Sequence, residues 1–141
     1  MEVVMGALLH DTVEDTDTSL EEVEAVFGRA VRDIVDQVTD DKTKGKAERK
    51  RLQIVHSPHI SEQAKLVKLA DKLYNLRDLE WASPVGWSPE RKHEYFLWSA
   101  KVILGCRGVS PAIEEQLDLV LARNGVMEPK NIVLTEEEKK E

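Results

Sequence analysis

Apolar residues return at three- and four-residue spacing along almost the whole chain, the period of a helix with one buried face. Leu20, Val23, Val26 and Phe27 make one stripe, with Thr18 placed to cap its start, Glu21 placed to reach back, and Gly28 placed to end it. Ala30, Val31, Ile34, Val35 and Val38 make the next, closing at Thr39-Asp40-Asp41. Pro58 interrupts the pattern within His56-Ser57-Pro58-His59. Ser61 then caps a long stripe through Ala64, Leu66, Val67, Leu69, Ala70, Leu73 and Leu76. After a loop at 83–87, Ser88-Pro89 and Ser110-Pro111 each put a hydroxyl cap before a proline at the first helical position. The helices they open are expected to end at Gly105 to Gly108 and at Asn124-Gly125. No pair of alternating segments with hairpin chemistry appears, so the prediction is all-α: one helical domain over 1–124. Residues 125–141 lack apolar periodicity and read as a mobile acidic tail. Met1 to Leu9 is already apolar and helical in character, without a cap or a polar lead-in. The expectation is a shortened chain, incomplete at its N-terminus, whose first helices are missing.

Composition narrows the classes. The 141 residues suit a single domain, and 41% hydrophobic with 33% charged residues suits a soluble globular one. A formal net charge of -7 argues against nucleic acid as a partner, yet a metal and local lysines can reverse the sign inside a cleft. Such a reversal is visible between Lys42 and Arg51, where Lys44, Lys46, Arg49 and Lys50 also fall. That run suits either phosphate binding or a solvated helix face. The single cysteine, Cys106, excludes an intrachain disulfide, fits a reducing compartment and is expected in the core. No apolar run approaches the roughly 18 residues of a membrane span, and the N-terminus lacks a basic leader. A cytoplasmic protein with no membrane partner is expected.

The candidate chemistry begins at Ala7-Leu8-Leu9-His10-Asp11-Thr12-Val13-Glu14-Asp15. A nitrogen and an oxygen donor side by side suit a borderline divalent metal. Glu14, four residues past His10, would share its side of a continued helix and could act on a metal-bound water. The alternative is a histidine cap followed by a solvated acidic loop. Asp71 stands inside an apolar helical stripe, where a carboxylate is costly unless it is paired or bound to metal. A salt bridge with Lys68, or an exposed position, would also account for it. His56 and His59 have no acid or cysteine at ligand spacing and read as loop residues. Arg91 and Tyr95, four apart, share a helix face.

Together the motifs resemble a known family. His10-Asp11-Thr12-Val13-Glu14-Asp15 looks like the HD-x-x-ED motif of the RelA/SpoT-type hydrolase domain. Lys65 to Arg77, with Leu69-Ala70-Asp71-Lys72-Leu73-Tyr74-Asn75-Leu76, looks like its second metal motif. Val38-Thr39-Asp40-Asp41-Lys42-Thr43 and Gly86-Trp87-Ser88 bring it close to the metazoan SpoT homologues. The resemblance runs from about Gly6 to Val102. It implies an all-helical HD-domain bundle that hydrolyses the 3′-pyrophosphate of guanosine 3′,5′-bis(diphosphate), ppGpp, with one Mn2+ ion. It makes His10, Asp11 and Asp71 metal ligands, and Glu14 and Asp15 the pair that orients or deprotonates water. Asn75, Lys46, Arg91 and Tyr95 become nucleotide contacts. The family carries another histidine ligand on an upstream helix that this sequence does not contain, so weakened metal binding is expected. Two alternatives stand beside ppGpp hydrolysis: an NADPH phosphatase using the same site, and an impaired shortened isoform acting only as a binding module.

Overall fold

The computed structural model describes residues 2–6, 9 and 18–140 of the chain. After a helical stretch at 2–6 come α1 (Leu20–Phe27), α2 (Arg29–Val38), α3 (Lys46–His56) and α4 (Glu62–Trp81). Then follow α5 (Pro89–Cys106), α6 (Pro111–Arg123) and the short α7 (Glu136–Lys139). Single 3-10 turns stand at Ser57–His59 and Pro129–Asn131. Among the described residues there is no strand, as the periodicity predicts.

The caps follow local chemistry. Ser61, Ser88 and Ser110 each have extended backbone, and each hydroxyl accepts a backbone N–H from the first turn: Ala64 at 3.2 Å, Arg91 at 3.1 Å and Ile113 at 3.3 Å. At α1 the cap lies one residue later than predicted, since Ser19 rather than Thr18 accepts from the Glu22 N–H, at 3.2 Å. The first stripe also reads too broadly. Of its members only Val23 is fully buried, and Val26 and Phe27 are exposed. Gly28, at φ 91°, separates α1 from α2 by a left-handed turn that a side chain rarely adopts.

α4 is the axis of the bundle. Leu69, Leu76 and Leu79 pack into the main core with Phe96, Ala100 and Ile103 of α5 and Leu117, Val120 and Leu121 of α6. Ala64 and Val67, from its first turns, pack instead on Ile34 and Val38 of α2. Each such fully buried aliphatic or aromatic side chain stabilises the fold by about 1.5–3 kcal/mol. Besides an outward face with Tyr74, Arg77 and Asp78 exposed, α4 carries a polar stripe of Lys68, Asp71, Lys72 and Asn75, spaced i, i+3, i+4 and i+7. α5 ends at Cys106, within the predicted Gly105 to Gly108, and at Gly105 the Ser57–His59 turn packs closely against it. A Cβ there would lie 2.6 Å from Ser57 Cβ and 2.9 Å from the backbone nitrogen of Pro58.

The segment after Asn124, expected to be a mobile tail, is packed. Val126 belongs to the main core and Pro129 is buried, so the body of the domain does not stop at 124. Farther on, Arg51 Nη1 donates to the Glu137 and Lys140 carbonyls, both at 3.0 Å, and Lys101 Nζ pairs with Glu138 Oε1 at 2.9 Å. Thr135 and Glu138 close a reciprocal capping box. This docking uses hydrogen bonds and charge, which leave no apolar period in the sequence.

Candidate active site

α3, α4 and α5 enclose a cleft of about 340 Å³. From α4 come Lys68, Asp71, Lys72 and Asn75; from α3 come Lys46, Arg49, Lys50 and Gln53; from α5 come Tyr95 and Trp98. Val38 and Asp40 close the side at the end of α2. Of the candidates read from sequence, Asp71, Asn75, Lys46 and Tyr95 are thus brought together. Arg91 is one turn before Tyr95, outside the cleft wall, with its guanidinium 4.3 Å from the centre of the Trp87 ring. His10, Asp11, Glu14 and Asp15 lie outside the described residues.

The position of Asp71 follows from the apolar stripes that flank it. Leu69 and Leu76 fix α4 against the core, which turns the Asp71–Asn75 stripe to the cleft. One turn apart on that stripe, Asn75 Nδ2 donates to Asp71 Oδ2 at 3.2 Å. That bond orients the carboxylate. Across the cleft, Gln53 Nε2 donates to both oxygens of Asp40, at 3.0 and 2.8 Å, and its own buried Oε1 has no hydrogen-bond partner among the described residues.

Among the described residues, five cations, Lys46, Arg49, Lys50, Lys68 and Lys72, face two carboxylates, Asp40 and Asp71. In a chain of net charge -7 this is a strong local reversal. Lys68 and Lys72 are 8% and 4% exposed, and among the described residues neither reaches a carboxylate at ion-pair distance. Burial drives the Lys72 ammonium down to about 7, and the charge on Lys68 adds to that, while Asp71 and Asp40 pull it back up. Burial also lowers Lys50, with Lys46 and Arg91 acting in the same direction. Burial, and then the charge on Asp71, push the Tyr95 phenol above its usual value. A bound polyanion would relieve the lysines, since its charge favours their ionised forms.

An aromatic row lines the same wall. The centres of Trp87 and Tyr95 are 5.8 Å apart at 57°, and those of Tyr95 and Trp98 are 5.3 Å apart at 55°. Lys50 fell in the basic run read as phosphate binding or a solvated face, whereas Lys68, Lys72 and Trp98 were not singled out as site residues by pattern. The polar stripe within an otherwise apolar α4 was the available signal for Lys68 and Lys72. Nothing local marks Trp98, which looks like any core aromatic until its neighbours are known. Among the described residues no three His, Cys, Asp or Glu side chains converge as a metal cluster.

The HD domain family matches residues 1–95, which include the α2, α3 and α4 walls of this cleft and Tyr95. The chain belongs to the HD-domain family. Its resemblance to the metazoan SpoT homologues holds at high identity. The chain is 60% identical over 126 residues to the guanosine-3′,5′-bis(diphosphate) 3′-pyrophosphohydrolase MESH1 of Danio rerio, covering 89% of this chain and 70% of that protein. To the human protein of the same name it is 57% identical over 124 residues, 88% of this chain and 69% of the relative. Among solved structures, this HD domain superposes with a TM-score of 0.86 and 51% identity on a metazoan orthologue of SpoT described as hydrolysing ppGpp. That match covers 89% of this chain and 70% of the other. A Listeria monocytogenes EGD-e protein, 29% identical, matches with a TM-score of 0.70 over 87% of this chain and 86% of its own.

Proposed function

We propose that this HD domain removes the 3′-pyrophosphate of ppGpp, releasing GDP and pyrophosphate, with Mn2+ as cofactor. The observation that supports this most is the cleft itself. It sets a carboxylate, Asp71, among buried and half-buried lysines, beside an aromatic row, in a chain 60% identical to a ppGpp hydrolase. Charge in phosphoryl transfer gathers on the phosphate oxygens, and Lys68 and Lys72, which among the described residues make no ion pair with a carboxylate, can meet it.

The donor chemistry fits a divalent ion. Asp71 offers an oxygen donor oriented by Asn75, and the family resemblance adds His10 and Asp11 as further ligands, without the upstream histidine. Such an ion would polarise the scissile phosphoryl group and lower the pKa of water. In this reading Glu14 and Asp15 orient the attacking water and accept its proton. Lys46, Arg49, Lys50, Lys68 and Lys72 hold the phosphate oxygens and balance the charge that gathers on them. Asn75 and Tyr95 contact the nucleotide, and Arg91, held on Trp87, reaches it from the rim.

The test is turnover by the chain as it stands. Purified protein with Mn2+ is given ppGpp and, separately, NADPH, and pyrophosphate and inorganic phosphate are measured. Release of pyrophosphate from ppGpp, abolished by Asp71→Asn, is the expected result. Phosphate release from NADPH alone would move the assignment to the second substrate. Metal and nucleotide binding without turnover of either would make this chain a binding module.

A further inference from the structure

Buried lysines are ordinarily held by carboxylates. In this cleft the buried Lys72 and the half-buried Lys50 lie over a ring instead. Lys72 Nζ lies 4.0 Å and Lys50 Nζ 5.0 Å from the centre of the Trp98 indole. The same indole donates its Nε1–H to the Lys50 carbonyl at 3.0 Å. One α5 side chain therefore grips α3 through both the backbone and the side chain of Lys50, and α4 through Lys72.

The distinction between a ring and an acid matters for an anion site. A carboxylate between Lys50 and Lys72 would hold them in place but cancel the charge that a phosphate must meet. The face of an indole attracts ammonium groups through its quadrupole and carries no net charge, so the positive potential stays available. It also opposes the mutual repulsion of two cations enclosed in one half-buried cleft.

We propose that Trp98 is a positioning residue for anion binding: it sets the Lys50 and Lys72 side chains at the cleft wall through a ring face that carries no net charge. This rests on the reading of the cleft as a phosphate site, not on which nucleotide is hydrolysed. It acts through the two lysines and needs no contact with the reacting atoms.

The test uses pyrophosphate as probe, by titration calorimetry on the full chain in chelator, with Trp98→Leu and Trp98→Phe compared with wild type. Thermal unfolding of each protein confirms that it is folded. Phe keeps a ring face but has no N–H, whereas Leu keeps only apolar bulk. Trp98→Leu is expected to weaken pyrophosphate binding about tenfold or more, and Trp98→Phe to recover most of that loss. The slope of affinity against salt is expected to be shallower for Trp98→Leu, because fewer fixed cations then face the anion. Unchanged binding in Trp98→Leu would overturn the proposal, as would a Trp98→Phe variant as weak as Trp98→Leu. Should Trp98→Leu fail to fold, Trp98→Gln takes its place, and should Trp98→Phe fail, Trp98→Tyr takes its place, with the same outcomes for and against. If wild type itself binds no pyrophosphate, the phosphate-site reading falls and takes this inference with it. If wild type binds but Trp98→Leu is unaffected, only the inference falls.

Discussion

Arg51→Met should release the C-terminal segment without unfolding the domain. Arg51 spends one guanidinium edge, Nε and Nη2, on Glu48 of its own helix, at 2.9 and 2.6 Å. A half-exposed pair of this kind, three residues apart, stabilises little. The other nitrogen, Nη1, takes the Glu137 and Lys140 carbonyls. With a charged donor each such bond is worth up to about 1.5–3 kcal/mol, and the exposure of the side chain reduces that to about 1 kcal/mol apiece. Loss of both is therefore about 2 kcal/mol, or roughly a 30-fold rise in local opening. α7 has four residues and no helical stability of its own, so the opening should stay local. Native-state hydrogen exchange at the Glu138 amide reads it, with urea unfolding as the global control. Glu138 protection within about threefold of wild type would refute the argument, as would a global loss of the same size. Acid should act on the same latch. Burial works to raise the Glu138 carboxyl, but hydrogen bonds from Lys101 and Thr135 outweigh it and hold the group below its ordinary 4.5. A carboxylate with a lowered folded value contributes stability above the unfolded value and loses it as pH falls through the folded one. Exchange at Glu138 should therefore quicken below about pH 4.5 in wild type, and much less in Lys101→Met.

Other expectations follow from the same structure. Lys72→Met should raise the stability of the metal-free protein: lowering an ammonium from 10.5 to about 7 corresponds to an upper limit of about 5 kcal/mol. The unfolded chain holds that proton between the two values and the folded chain does not, so wild type should gain on the variant as pH rises from about 7 towards 10.5. A pH-independent difference in urea midpoints, with chelator present, would sink this. Asp71→Asn should abolish Mn2+ binding by calorimetry and reduce turnover at least about 100-fold while leaving the unfolding midpoint nearly unchanged; metal affinity at the wild-type level would remove Asp71 from the ligand set. Gly105→Ala should destabilise by about 1–3 kcal/mol, because its methyl would overlap the Ser57–Pro58 backbone. A neutral result in thermal unfolding would show that the turn gives way freely.

The sequence by itself determined the helices and most of their caps, and it marked Asp71 and Asn75 on α4 as candidates. Those are short-range properties: an apolar period of three to four, a serine before a proline, a carboxylate where the neighbours are leucines. The HD and second motifs were legible because they are contiguous runs of chain. The tertiary structure decided the rest. Periodicity reports that a helix has a buried face, not which neighbour covers it, so Val26 and Phe27 read as core and are exposed. The tail docks through the Arg51 guanidinium and the Lys101 ammonium, partners distant in sequence that no local pattern announces. The positive cleft exists only because α3, α4 and α5 converge, turning a basic run and a polar stripe that each suited a solvated face into one wall. Trp98 became significant for the same reason. An indole is core bulk until the fold sets two ammonium groups against its face.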